Sequence, residues 1–182
     1  SGIGRIREFW GNVPQVIKAY SWSRAMGAAG IEEAAEISVI ANNYMEVRLL
    51  KIPGIAKSHP KIGGPRMEMT RYSIEKITED TGVTIEDVSH RMVDFGIDAP
   101  WLAHHPWIVP EPFTPEAGET YSKEDIDYWI DVLAEIVGEA YTTPEIVKSA
   151  PHRQVISRIK SGPLDDPERW AMTWRAYLRK NC

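Results

Sequence analysis

Thiol chemistry is almost absent from this sequence, because its single cysteine, Cys182, stands at the last position. One cysteine can form neither an intrachain disulfide nor a cysteine-based zinc cluster, and such usage fits a reducing, cytosolic setting. Long apolar runs are missing as well. None reaches the roughly 18 residues of a membrane span, and the N-terminus lacks the apolar core of a secretory signal. An excess of positive charge is also absent: the formal net charge is −5, whereas binders of nucleic acid or anionic membranes concentrate Lys and Arg to neutralise phosphates. The reading is a cytoplasmic protein that meets a soluble partner or small ligand, with no nucleic acid and no membrane contact. Internal repeats are lacking. So is a phosphate-cradling glycine fingerprint, since Gly2 and Gly4 precede basic and aromatic residues and no strand leads into them.

The 182 residues, 43% hydrophobic and 26% charged, suffice for one ordinary domain or a small domain with a large appendage. After an irregular opening loop to Asn12, apolar residues at Val13, Val16, Ile17 and Tyr20 predict a helix to Met26, with Pro14 in its first turn and Gly27 as its stop. A second long helix is predicted over 30–50, with Ile31, Ala34, Ala35, Ser38, Ala41, Met45 and Leu49 on its buried stripe and further apolar residues on its other side. Pro53, Gly54, Pro60, Gly63, Gly64 and Pro65 then leave room only for short strands. Arg66–Ser73 is predicted as a strand that buries Met67 and Met69, and Trp107–Val109 as a second. Between them Thr84 and Asp87 mark the start of a helix whose stripe is Ile85, Val88, Met92 and Phe95 and whose end is Gly96. Ser122 and Asp125 start a longer one with Ile126, Trp129, Leu133, Ile136 and Ala140 buried, and Pro144 opens a short one. The fold class is therefore α+β, a short sheet with helices on one face, in three parts: 1–52, 53–145 and a tail, 146–182, that ends in an amphipathic helix bearing Trp170, Trp174, Tyr177 and Leu178.

No motif in the chain runs catalysis unaided. His104 and His105 are adjacent, so in an extended segment they face opposite ways and do not readily share a metal. No metal site is expected. His90, with Arg91, reads as a solvated helix face, and His59 and His152 as solvated loop residues beside prolines. Glu111, Glu116 and Glu119 form an acidic loop, which without a desolvating pocket is a solvated one. Seven Trp are more than a short sheet with a few helices can bury: Trp10, Trp22, Trp101, Trp107, Trp170 and Trp174 lie outside the predicted core stripes. Such residues belong either to an aromatic-rich core or to an interaction surface, and the second reading implies a homo- or hetero-oligomer.

Several stretches in order resemble one known family. GIGRIREFWGN, AYSWSRAMGAAGIEEAAEISVIANNYMEVRL, VTIEDVSHRMVDFGIDAP, PWIVPEP, the spaced Glu116, Glu119, Thr120 and Ser122, and PEIVKSAPH are similar to the C-terminal part of the P-protein of the glycine cleavage system. The resemblance implies the C-terminal small domain of a fold-type-I pyridoxal phosphate enzyme, preceded by two long helices and followed by a helical tail. It implies an oxidoreductase-type activity, glycine dehydrogenase (decarboxylating), in which glycine loses CO2 and its aminomethyl group passes to the lipoyl arm of the H-protein. The cofactor, pyridoxal phosphate, serves as electron sink and is held by a lysine upstream of the part matched here, in a large domain or partner subunit. Lys18, the first lysine of this chain, lies outside the family's His-Lys context. No catalytic residue is therefore assigned to this chain, which is expected to be inactive in isolation. By position, Arg7, Trp10 and Asn12 are candidates to line the cofactor cleft, with Arg7 toward a phosphate or carboxylate, and Trp101, His104 and His105 are candidates for a substrate tunnel.

The chain departs from the family pattern at Met67, where a His usually precedes Glu, at Asp98, where a His is common, at Glu116-Ala117-Gly118-Glu119, and at His104-His105, which includes an inserted residue. These departures keep two other readings open: a paralogue acting on a different amine or amino acid, and a non-catalytic assembly or regulatory module.

Overall fold

The computed structural model of the chain describes residue 4 and residues 11–67, 69–98, 108–158 and 174–181. A long helical element, α1, runs over Val13–Leu49 and is broken at Gly27, whose φ of 64° and ψ of −178° are non-helical. Glycine alone adopts that geometry without a Cβ penalty, so the two predicted helices are continuous in sequence and separate in direction. Asn12 caps the first, its side chain accepting from Gln15 N at 3.4 Å. The first helix and the start of the second leave Val16, Ile17 and Tyr20 exposed, each by 58–66%. Burial begins at Ala34 and follows Ala41, Asn42, Met45 and Leu49, a stripe at helical spacing. Ile31 and Ala35 of the predicted stripe are exposed.

Three two-residue strands follow the breakers: β1 (Ala56–Lys57), β2 (Tyr72–Ser73) and β3 (Pro112–Phe113), antiparallel in the order β1-β2-β3. Lys57 pairs with Tyr72 and Tyr72 with Phe113, which stacks the two rings at 5.3 Å between centroids. The expected strand over 66–73 is thus only its last two residues. Met67 and Met69 are exposed by 86% and 42%, because the Pro and Gly around them keep the chain from reaching the sheet until Tyr72. A strand lies at Pro112–Phe113 instead; of the expected second strand, Trp107 is outside the described residues and Ile108 and Val109 belong to a bend.

The helices are α2 (Glu75–Thr81), α3 (Ile85–Val93), α4 (Lys123–Thr142), α5 (Pro144–Ser149) and α6 (Trp174–Asn181). Both predicted capping boxes are present, Thr84 with Asp87 on α3 and Ser122 with Asp125 on α4. α4 packs against α1, α2, α3 and α5, and its Ile126, Ile130, Leu133, Ile136 and Val137 share one core with Leu49, Tyr72, Ile77, Met92, Phe113 and Val147. The apolar side of the expected C-terminal helix is described only at Trp174 and Leu178, both exposed; Trp170 lies outside the described residues.

Gly54 is fixed by its surroundings. Its φ is +86°, and a Cβ there would sit 2.5 Å from Ile77 Cγ1, a fully buried side chain. The left-handed backbone costs an L-residue about 1–2 kcal/mol and overpacking a further 1–3 or so. Gly54→Ala should therefore lower the urea midpoint by the equivalent of about 2–5 kcal/mol, whereas Gly63→Ala, which meets nothing within 4 Å, should change it little.

Candidate functional site

The second helix of α1 turns Ser38, Asn42, Asn43 and Glu46 toward one side, at the i, i+4 and i+8 spacing that puts residues on one helical face. The proline- and glycine-rich loop 58–71 returns against that side and is tied to it twice. Asn43 Nδ2 donates to Arg66 O at 2.7 Å while Arg66 N donates to Asn43 Oδ1 at 2.9 Å. Glu46 takes Lys57 Nζ at 2.9 Å on one oxygen and Thr70 Oγ1 at 3.0 Å on the other. This ion pair is largely buried, its side chains 17% and 13% exposed. The stretch 114–119, leaving β3, forms the third wall, and Ser38 Oγ lies 3.1 Å from Glu119 Oε2.

The result is a trough divided by Met69 into two clefts of opposite charge. One, of about 290 Å³, is lined by Lys57, His59, Arg66, Arg71 and Thr114, with no Asp or Glu among its described lining residues. The other, of about 450 Å³, is lined by Ser38, Asn42, Glu116 and Glu119, with no basic residue among its described lining residues. Among the described residues, two buried polar atoms at the walls of these clefts, Asn42 Nδ2 and Thr114 Oγ1, have no hydrogen-bond partner. An orphaned buried group costs about 1–3 kcal/mol, and such clustering beside two clefts marks a place where an outside group is accommodated. Burial pushes the Tyr72 hydroxyl above its ordinary pKa, so it stays a neutral donor. A larger cleft of about 830 Å³, lined by Gly96, Asp98, Glu116, Tyr121, Tyr128 and Trp129, adjoins the acidic side.

The trough is suited to binding and orienting a charged small group. It does not suit pyridoxal phosphate as a whole. In the basic cleft the lysine amine belongs to Glu46, and no carboxylate among the described lining residues is there to face a pyridine nitrogen. Among the described residues no group of three His, Cys, Asp or Glu could hold a metal ion.

Of the candidates read from sequence, Arg7, Trp10, Trp101, His104 and His105 lie outside the described residues, and Asn12 is the exposed cap of α1. Glu116 and Glu119 do line clefts. Glu111 is no solvated loop residue: its Oε2 accepts from Ile85 N at 2.6 Å, and its φ of 44° holds it against the start of α3. Arg91 and His152 are also tied down. Arg91 donates to Glu139 and to Asp94, and His152 Nδ1 lies 3.4 Å from Asp94 Oδ2. Asp94, only 1% exposed, accepts the amides of His152 and Arg153, both at 2.7 Å. Burial opposes its charge, but those amides and the Arg91 guanidinium outweigh it and hold the carboxyl below its usual pKa. Arg158 completes the lock, donating to Asp87 at 2.6 Å. Sequence reading missed this network and the Asn43 clamp, because apart from Arg91 and Asp94, three residues apart, the partners lie 23 to 71 residues apart and no local spacing signals them.

The family described as glycine dehydrogenase, C-terminal domain, matches residues 34–159. Among curated proteins, the probable glycine dehydrogenase (decarboxylating) subunit 2 of Thermococcus gammatolerans is 37% identical over 97% of this chain and 34% of its own length. The like-named protein of Thermotoga maritima is 36% identical over 86% of this chain and 32% of its own. The chain thus spans about a third of the length of these relatives. A crystal structure of glycine decarboxylase (P-protein) of the glycine cleavage system, in inhibitor-bound form, superposes with a TM-score of 0.58 at 19% identity, covering 71% of this chain and 28% of that one. That likeness bears on the fold alone.

Proposed function

The chain belongs to the glycine dehydrogenase C-terminal domain family, and from that membership we propose that it is the C-terminal portion or subunit of a pyridoxal-phosphate-dependent glycine decarboxylase. The observation that carries this is the family match over 34–159, which spans the C-terminal half of α1, the trough and the Asp94 network. The substrate reading is glycine, with the aminomethyl group handed to a lipoylated H-protein. When bound, the cofactor supplies the electron sink for loss of CO2. By the family resemblance, a lysine-bearing large domain or partner subunit carries it. This chain supplies walls for the substrate cleft and an oligomer contact.

The uncovered face of α1 supports that contact. Val13, Val16, Ile17, Tyr20 and Trp22 are exposed by 47–66% on one helix, a run of apolar surface that is covered in an assembled protein. Co-expression with the lysine-bearing P-protein portion, followed by affinity purification and borohydride reduction, tests the reading. The two should copurify, with the reduced cofactor attached to a lysine of the partner. Ile17→Glu together with Tyr20→Glu should abolish copurification while leaving the helical content intact, since both side chains face solvent. Cofactor fixed to a lysine of residues 1–182, or no association at all, would contradict it.

A further inference from the structure

We infer that the basic cleft between β1, β2 and the loop 58–71 is an oxyanion site that takes a carboxylate or phosphate group. In a chain of net charge −5, Lys57, Arg66 and Arg71 line one small cleft without a described carboxylate in its wall. Lys57 is balanced by Glu46; among the described residues neither arginine has a carboxylate partner. The Arg66 backbone is pinned from both sides by Asn43, and its guanidinium spends one N–H on Ile62 O at 2.9 Å, which leaves most of its five donors unused. The Arg71 guanidinium has no hydrogen-bond or ion-pair partner among the described residues. Thr114, 93% buried, lines the same cleft with its hydroxyl unpartnered.

Two planar guanidinium forks and a buried hydroxyl form a donor set matched to the in-plane lone pairs of a carboxylate or the oxygens of a phosphate. A cationic ligand is repelled, and an apolar one would leave the Thr114 hydroxyl unpaired. The volume of about 290 Å³ admits a single small anionic group. This inference rests on the cleft alone and stands whether or not the chain serves glycine decarboxylation.

The 182-residue chain is titrated with glycine, acetate and inorganic phosphate in separate arms at constant ionic strength, with amide and arginine side-chain NMR shifts as the readout. At least one anion should produce saturable shifts centred on Arg66, Arg71 and Thr114. Response to glycine and acetate alone identifies a carboxylate ligand, response to phosphate alone a phosphorylated one, and either supports the site. Arg71→Gln should weaken binding about tenfold or more, and Thr114→Val should weaken it without altering the fold. Lys51→Gln, an exposed cation outside the cleft, should leave it unchanged. No saturable shift in any arm, shifts centred elsewhere, or equal weakening by Lys51→Gln would overturn the inference.

Discussion

Replacing Asp94 by Ala should cost the fold about 3–5 kcal/mol, the usual penalty for removing one partner from a buried ion pair. Its carboxylate is the common acceptor for the amides of His152 and Arg153 and for the guanidinium of Arg91. Without it two backbone N–H groups lose their acceptor and Arg91 loses one of its two carboxylate partners. The loss should be local in origin. Amides of residues 150–154 should lose hydrogen-exchange protection first, because Asp94 takes the His152 and Arg153 amides at the end of α3 while Arg158 keeps its own tie to Asp87. Asp94→Asn should fall between, since one oxygen can still accept the amides while the charge that balances Arg91 is gone. The same carboxyl predicts an acid limb. Its pKa is lowered on folding, so its contribution is present above the unfolded value of about 3.9 and is lost as pH falls through the folded value. Urea midpoints should therefore decline below about pH 4, and the decline should be shallower in Asp94→Asn. A change under about 1 kcal/mol in Asp94→Ala would show that the network contributes little beyond an exposed pair.

What the sequence disclosed and what it hid divide by distance along the chain. The capping boxes at Thr84–Asp87 and Ser122–Asp125 and the break at Gly27 each depend on residues within one helical turn, so residue type and spacing suffice. The stripes of α3 and α4 were legible for the same reason. The sheet was not, because two-residue strands carry no alternation to read: Met67 and Met69 mimic it in a loop, while Tyr72 and Phe113 find each other through register alone. The trough was hidden as well. Its clamp joins Asn43 to Arg66, and its ion pair joins Glu46 to Lys57 across a turn of proline and glycine. Resemblance reached further than periodicity here. PEIVKSAPH resembles a family stretch in sequence alone, and the structure gives its end a physical task, placing the His152 amide on Asp94 beside that of Arg153.

Met67 and Asp98, the positions where the sequence reading departs from the family pattern, both face this trough or the cleft beside it. Met67 lines its acidic cleft and Asp98 the larger cleft beside it, so substitution at either changes the wall a substrate would meet without touching the core.

The most direct measurement is release of labelled CO2 from carboxyl-labelled glycine by the lysine-bearing portion, lipoylated H-protein and pyridoxal phosphate, with and without this chain. The effect should be close to all-or-none. On the proposed reading this chain completes the substrate cleft, and a misplacement of about 1 Å alone can cost on the order of 100-fold in rate. Release should be near background without the chain, appear on its addition, saturate at a fixed ratio of the two chains, and be lost with Ile17→Glu together with Tyr20→Glu. Release that is as fast without the chain, or that never appears although the two chains form a stable complex, would contradict a role for it in glycine decarboxylation.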